Sequence, residues 1–213
     1  MSIRLPLAAA AVLDALLADG QRKLLGLVGP PGAGKSTLAQ AIADQLGDRA
    51  QVVPMDGFHL AQVELERLGR ASRKGAPDTF DAAGYVALLR RLRAQQPGET
   101  DDAIVYAPAF RREIEEPIAG AIAVLPQTQL VVTEGNYLLL GDPPWNAVAP
   151  LLDACWYVDV DDALRRSRLV ARHEQFGRSP REARDWEAST DEPNARRIAA
   201  TRDRASLIVA WGG

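Results

Sequence analysis

The residue pattern predicts an α/β domain of three layers, with a five-stranded parallel sheet between helices and a helical lid. Three observations carry this. Short apolar runs alternate with segments of helical spacing along most of the chain, the rhythm of a parallel sheet covered on both faces. The first run passes directly into a glycine-rich turn and then a helix. The composition, 47% hydrophobic and 25% charged over 213 residues, is globular and fits one domain over residues 1–213. A chain of this size buries roughly 70% of its unfolded surface, so it folds without disulfides or a structural metal.

The elements follow in order. Leu5 to Leu13 superficially resembles a signal-peptide core, but Asp14 and Asp19 follow at once and the apolar face continues through Leu16 and Leu17. A packed amino-terminal helix is expected there. Leu24–Val28 reads as a buried strand, and Lys35–Leu46 as a helix with Leu38, Ile42 and Leu46 on one face and Gly47 as its stop. Gln51–Met55 is a second strand. Residues 57–69 and 81–94 have helical spacing, the latter carrying Tyr85, Leu88, Leu89 and Leu92. Prolines 97, 108, 117 and 126 are expected to break Gln95–Gln127 into loops and short pieces. Leu130–Glu134 and Cys155–Val158 are strands. A helix runs from about Asp161 to Phe176, and Ser206–Ala210 is the last strand. No internal repeat or low-complexity linker is visible.

Composition excludes several classes. The net charge of −3 argues against a surface built to grip nucleic acid. No run reaches the ~18 apolar residues that cross a bilayer. The lone cysteine, Cys155, rules out an internal disulfide or a multi-cysteine zinc site and fits a reducing cytoplasm. Only three of the 25 basic residues are lysines, Lys23, Lys35 and Lys74. In so arginine-biased a chain, each is a candidate for a place that a compact ammonium serves better than a guanidinium.

Gly29-Pro30-Pro31-Gly32-Ala33-Gly34-Lys35-Ser36-Thr37 matches G-x-x-x-x-G-K-S/T with a strand before it and a helix after it. Glycines let such a loop turn its N–H groups inward around a polyphosphate, and the helix start adds the positive end of its dipole. Lys35 is placed to reach the β- and γ-phosphates, and Ser36 to offer its hydroxyl to Mg²⁺. The fold class is thereby that of the P-loop nucleoside triphosphatases. The loop specifies a nucleotide but no reaction.

Two acids end strands where ligands of open parallel sheets bind. Asp56 stands in Met55-Asp56-Gly57-Phe58-His59 and Glu134 in Thr133-Glu134-Gly135-Asn136. Each following glycine is expected to leave space beside the carboxylate. One acid can organise Mg²⁺, the other can take the proton of an attacking hydroxyl. Helix capping is the alternative for either acid. His59 is a candidate for substrate contact, with a packing role as its alternative. Arg165, Arg168 and Arg172 share one helical face. A lid closing over the phosphates competes there with a solvated face paired to Asp161, Asp162 and Glu174. Phe176-Gly177-Arg178-Ser179-Pro180 would end the helix as a hinge.

Together these segments resemble the phosphoribulokinase, uridine kinase and pantothenate kinase superfamily of P-loop kinases. The resemblance extends through Lys74-Gly75-Ala76-Pro77-Asp78-Thr79-Phe80-Asp81, Tyr106-Ala107-Pro108-Ala109-Phe110-Arg111, Glu134-Gly135-Asn136-Tyr137, Arg168-Leu169-Val170-Ala171-Arg172-His173 and Asp191-Glu192-Pro193-Asn194. The closest likeness is to the fructose-transport-system, or fructokinase-like, subgroup. The resemblance implies ATP as co-substrate with Mg²⁺, Asp56 as catalytic base, Glu134 with Ser36 at the metal, and Arg168 and Arg172 on the phosphates beside Lys35. It also places the acceptor under residues of a segment near 57–125, with His59, Asp78, Tyr106, Phe110 and Arg111 as its candidates, and the lid near 165–190. Arg112 beside Arg111 would suit an anionic acceptor, with capping of the loop as the alternative. Gly75 stands where uridine kinases carry a ribose-binding acid, which weakens the nucleoside reading.

The function expected is therefore transfer of the ATP γ-phosphate to a hydroxyl of a metabolite, such as the sugar fructose. Nucleoside or pantothenate-like kinases and a regulatory nucleotide switch are the alternatives. A small-molecule partner, no nucleic acid, no membrane and a cytoplasmic location are expected; the oligomeric state, a homodimer included, is left open.

Overall fold

The computed structural model describes residues 4–96 and 103–212. Pro97, read above as a loop breaker, lies outside the described residues. The sheet contains β1 (Lys23–Val28), β2 (Ala50–Pro54), β5 (Leu130–Gly135), β6 (Ala154–Asp159) and β7 (Leu207–Ala210), in the spatial order β2-β5-β1-β6-β7. Every pairing in it is parallel. Around it lie α1 (Leu7–Leu17), α2 (Lys35–Leu46), α3 (Gln62–Arg67), α4 (Ala82–Ala94), α5 (Asp162–Gln175), α6 (Pro180–Trp186) and α7 (Glu192–Ala199). The amino-terminal segment is a packed helix, with Ala9, Leu13 and Leu17 buried.

The pleat divides the apolar strands between two cores. Leu24, Val28, Val131, Cys155 and Tyr157 face one side and pack with Tyr85, Leu88, Leu89 and Leu92 of α4. Leu25, Leu27, Val132, Trp156 and Val158 face the other and pack with Leu13 of α1 and Leu38 and Ile42 of α2. Successive side chains point to opposite faces, so a strand buried on both faces must be apolar throughout. That is why β1 and β5 read as continuous hydrophobic runs. Thr133 is the polar exception. Its Oγ1 donates to the Val53 carbonyl at 2.7 Å and accepts from the Tyr85 hydroxyl at 2.6 Å, satisfying both buried groups.

Two expectations fail. The helix expected over 57–69 is only Gln62–Arg67, because Met55–Phe58 forms a 3₁₀ turn instead. Residues 95–127 are not merely loops. They hold the antiparallel hairpin β3 (Val105–Arg111) and β4 (Glu116–Val124), a second sheet of its own. Pro108 sits at the register shift between Ala107 and Ala109, and a bulge tolerates the missing N–H. Among the described residues no helix is long and apolar enough to cross a membrane.

Arg165, read with Arg168 and Arg172 as part of a lid over the phosphates or else of a solvated face, is instead buried at 1% exposure. Its Nε donates to Asp162 at 3.0 Å and its Nη2 to Glu192 of α7 at 2.7 Å. Its backbone carbonyl lies 2.7 Å from where a Cβ on Gly32 would stand, so the start of α5 is pressed against the glycine-rich turn. Arg165→Ala would empty a buried site and remove one of the two arginines on Glu192, the other being Arg196 at 3.2 Å, so it should cost about 3 kcal/mol in urea unfolding with the far-UV spectrum unchanged. A loss under about 1 kcal/mol would instead be that of an exposed pair.

Candidate active site

The site forms where β1, β2 and β5 end. Parallel register sets Glu134 level with Leu27 of β1 and Pro54 of β2. Asp56 follows Pro54 by two residues, so both acids emerge at the sheet's carboxyl edge. The turn after β1 is held by left-handed Gly32 (φ +81°) and Gly34 (φ +88°). Gly34 precedes the first residue of α2, and Trp211 lies 2.9 Å from where a Cβ on it would stand.

A cleft of about 600 Å³ opens over this edge, within the ~300–1,000 Å³ usual for small-ligand sites. Its floor is Pro31, Gly32, Gly34, Lys35, Ser36 and Thr37, with Asp56 and Glu134 beside them. Arg168, Arg172 and His173 of α5 overhang it, as do Asp191 and Asn194 at the start of α7. Ala71, Lys74, Gly75 and Phe80 close it opposite, with Phe110 and Arg112 from the end of the hairpin's first strand and the turn after it.

Lys35 is buried at 8% exposure. Its Nζ donates to the carbonyls of Gly29 at 2.9 Å and Pro30 at 3.1 Å, and to Asn136 Oδ1 at 2.7 Å. Burial holds this ammonium down, to about 8 from its ordinary 10.5, against the opposing pull of Glu134 and Asp56. Burial pushes the Glu134 carboxyl up, and the Asp56 charge adds to it, while Lys35 and Ser36 oppose. Ser36 Oγ donates to Glu134 Oε1 at 2.9 Å. A hydroxyl and a carboxylate side by side are the hard oxygen donors that Mg²⁺ takes together with phosphates and water. Among the described residues there is no cluster of three or more histidine, cysteine or acidic ligands, and a phosphate-bound Mg²⁺ needs none.

Asp56 Oδ2 accepts from Arg112 Nη2 at 3.1 Å. His59 turns its Nδ1 to the Asp56 carbonyl at 2.8 Å and packs between rings, 4.0 Å from Phe80 and 4.6 Å from Phe110. Burial lowers its basicity. Burial and the nearby Arg112 also lower Arg172, so two guanidinium groups approach one another over the cleft.

The structure thus brings together Lys35, Ser36, Thr37, Asp56, His59, Phe110, Glu134, Arg168 and Arg172, and the loop residues Pro31, Gly32 and Gly34. Gly29 meets the site through its carbonyl, and Ala33 turns its methyl into the core. Three acceptor candidates fall elsewhere. Asp78 pairs with Arg73 at 2.6 Å and with Arg70 at 3.4 Å on the surface. Tyr106 is 54% exposed, and Arg111 is exposed outside the cleft. Along β3 alternate residues take opposite sides, so Phe110 enters the cleft and Arg111 does not. The space after each acid is also not ligand space. A Cβ on Gly57 would lie 2.4 Å from the Pro108 carbonyl, and one on Gly135 2.6 Å from the Met55 side chain. Both glycines let protein pack closely.

Asn136 as the partner of Lys35 was missed, although the Glu134-Gly135-Asn136 run at a strand end signals it. The contact between His173 Nε2 and Asp191 Oδ2 at 2.7 Å, and the stacking of Arg178 on Trp186 at 3.7 Å, lie beyond the i, i+4 reach of helical spacing and had no local signal.

A family model described as an AAA domain matches residues 24–193. A candidate uridine kinase of Schizosaccharomyces pombe is 37% identical over 167 residues, 74% of this chain and 69% of that protein. A pantothenate kinase of Leifsonia xyli is 30% identical over 215 residues, 87% of this chain and 65% of that one. The crystal structure of a candidate fructose transport system kinase from Silicibacter sp. TM1040 superposes with a TM-score of 0.79 at 38% identity, covering 93% of this chain and 97% of that one.

Lys35 gives this site a pH signature. Between pH 8 and 10.5 the unfolded chain keeps a proton that the folded chain has lost. Stability rises with pH wherever the unfolded state binds more protons. The wild type should therefore gain about 3 kcal/mol relative to Lys35→Met across that window, read by urea unfolding at its two ends. A difference that does not change with pH would show that the ammonium is not held down by burial.

Proposed function

The chain belongs to this AAA-domain family of P-loop kinases and is an ATP-dependent phosphotransferase; we propose that its acceptor is a hydroxyl of a small metabolite, a sugar such as fructose, held between Phe110 and Asp56. The observation that carries the reading is the convergence of Lys35, Ser36, Asp56 and Glu134 on one end of one cleft. A nucleotide switch needs the first two. A carboxylate facing a second pocket is needed only where another hydroxyl must lose its proton.

In this reading the N–H groups of Gly32–Thr37 and the Lys35 ammonium hold the β- and γ-phosphates. Lys35 exchanges its contacts with Gly29, Pro30 and Asn136 for phosphate oxygens. Ser36 and Glu134 would hold Mg²⁺, which when bound neutralises charge on those oxygens. Asp56 takes the acceptor proton, and Arg112 orients its carboxylate. His59, its basicity lowered by burial, lines the acceptor pocket with Phe80 and Phe110. Arg168 and Arg172 lie on the overhanging helix and meet the charge that spreads over the transferring group. The lid spans about residues 165–190, and the acceptor segment about 57–125. The similarity to a candidate fructose transport system kinase supports a sugar. Uridine- and pantothenate-like acceptors are the second reading, supported by the relatives so named. We place the activity in the cytoplasm, with no nucleic acid or membrane partner.

Asp56→Asn keeps shape but cannot accept a proton. It should leave ATP binding within a few fold and cut acceptor phosphorylation by ~10²-fold or more, with acceptor-free hydrolysis much less affected. Loss of nucleotide binding would make Asp56 a metal or structural anchor and hand the base to Glu134. Arg172→Ala tests the overhang: kcat should fall by ~10²-fold, with a smaller loss of ATP affinity. Unchanged kinetics would reduce Arg172 to a packing residue.

A further inference from the structure

The acceptor end of the cleft carries more cation than the chemistry above requires. Lys74 lies 5.6 Å from the Phe110 ring centroid, and the Arg112 guanidinium 5.9 Å from the same centroid. Both act on His59 as nearby positive charges. Two like charges converging on one ring repel, and a fold keeps them together when something of opposite sign completes the set.

The partners present do not complete it. Arg112 spends one nitrogen, Nη2, on Asp56. Among the described residues no ion pair includes Lys74, although Glu115 lines the same cleft. Its Nζ donates only to a main-chain carbonyl, that of Glu115, at 2.5 Å. Glu115 is itself the one non-glycine residue described with a left-handed backbone, φ +52°. The tight turn between β3 and β4 thus presents its carbonyl, a neutral acceptor, to the ammonium. Lys74 is also one of three lysines among 25 basic residues. Lys23 pairs with Asp19 and Lys35 sits in the phosphate-binding turn. The third stands in the cleft with its charge unneutralised.

We propose that Lys74 and Arg112 form an anion subsite beside Phe110, and that the acceptor is a hydroxyl compound bearing a carboxylate or a phosphate. Arg112 touches both Asp56 and this subsite, so the anionic group lies a short carbon chain away from the hydroxyl that is phosphorylated. A sugar phosphate and a sugar acid both have that form, so the sugar acceptor proposed above narrows to its charged derivatives, and free fructose lacks the group. The pair differs from the one suggested by adjacency in sequence: Arg111 points away, and Lys74 from another segment takes its place. The inference rests on the kinase reading, and its test is built to fail separately from it.

The experiment uses matched probes: glucose, glucose 6-phosphate and gluconate, with pantothenate as a further carboxylate. ADP release is followed at saturating ATP. The wild type should favour at least one anionic probe over glucose by ~10²-fold in kcat/KM, and the better of the two anionic arms identifies phosphate or carboxylate. Lys74→Met, which keeps the stem and removes the charge, should raise KM for that probe ~10- to 100-fold. Lys74→Arg should recover part of the loss. In parallel, binding of each probe is measured by calorimetry with a non-hydrolysable ATP analogue filling the phosphate-binding turn. If no probe stimulates ADP release, the sugar-acceptor reading fails and the binding arm alone decides the subsite. Anion binding weakened tenfold or more in Lys74→Met still upholds the subsite. Glucose preferred over both anionic arms, anion binding unchanged in Lys74→Met, or no anion binding in the wild type overturns it.

Discussion

The structure turns on a buried cation. Lys35 sits almost out of solvent at the first turn of α2, with two carbonyls and an amide oxygen as its partners. An ammonium in such a place is costly unless paired, and these neutral oxygens compensate only in part. The depressed basicity of Lys35 records the remainder. Polyphosphate oxygens are the partners that would complete its shell. Its neighbours follow from that requirement. Gly32 and Gly34 must be left-handed to bring the backbone around. The sheet must place Glu134 and Asn136 on the adjoining strand end, and α5 must lie close enough to seat Arg165 against the turn.

Much of this was legible in the sequence because it is local. Strand, glycine-rich turn and helix are contiguous, so β1 and α2 were readable nearly to the residue. Strands buried on both faces announce themselves as apolar runs, and β5, β6 and β7 did so. Acids placed directly after such runs, Asp56 and Glu134, could be assigned to the sheet edge from position alone. The belonging to P-loop kinases was legible too, because the motifs occur in a fixed order.

What was not legible depends on tertiary pairing. The β3–β4 hairpin was hidden by its own prolines, since Pro108 reads as a breaker until a bulge is known to receive it. Arg165 shares its helical spacing with Arg168 and Arg172, yet at the first turn of α5 it meets Glu192 of α7 instead of the cleft. Periodicity gives a face but not what lies opposite it. Asp78, Tyr106 and Arg111 share segments with cleft residues and still miss the cleft. In an extended or 3₁₀ segment one residue decides which side is met. The glycines after Asp56 and Glu134 were expected to leave space beside the carboxylates, but Pro108 and Met55 fill it.

The hairpin has an independence that bears on how such a protein changes over time. It forms a sheet of its own, hydrogen-bonded to none of the five central strands, and it presses on the Asp56 turn through Pro108 at Gly57. Residues can be added to or exchanged at its tip without shifting the register of β1, β2 and β5. One wall of the cleft is therefore free to drift while the opposite wall stays fixed. A lineage built on this plan can explore new partners for the cleft by altering a two-stranded appendage, leaving the central sheet and its glycine-rich turn unaltered.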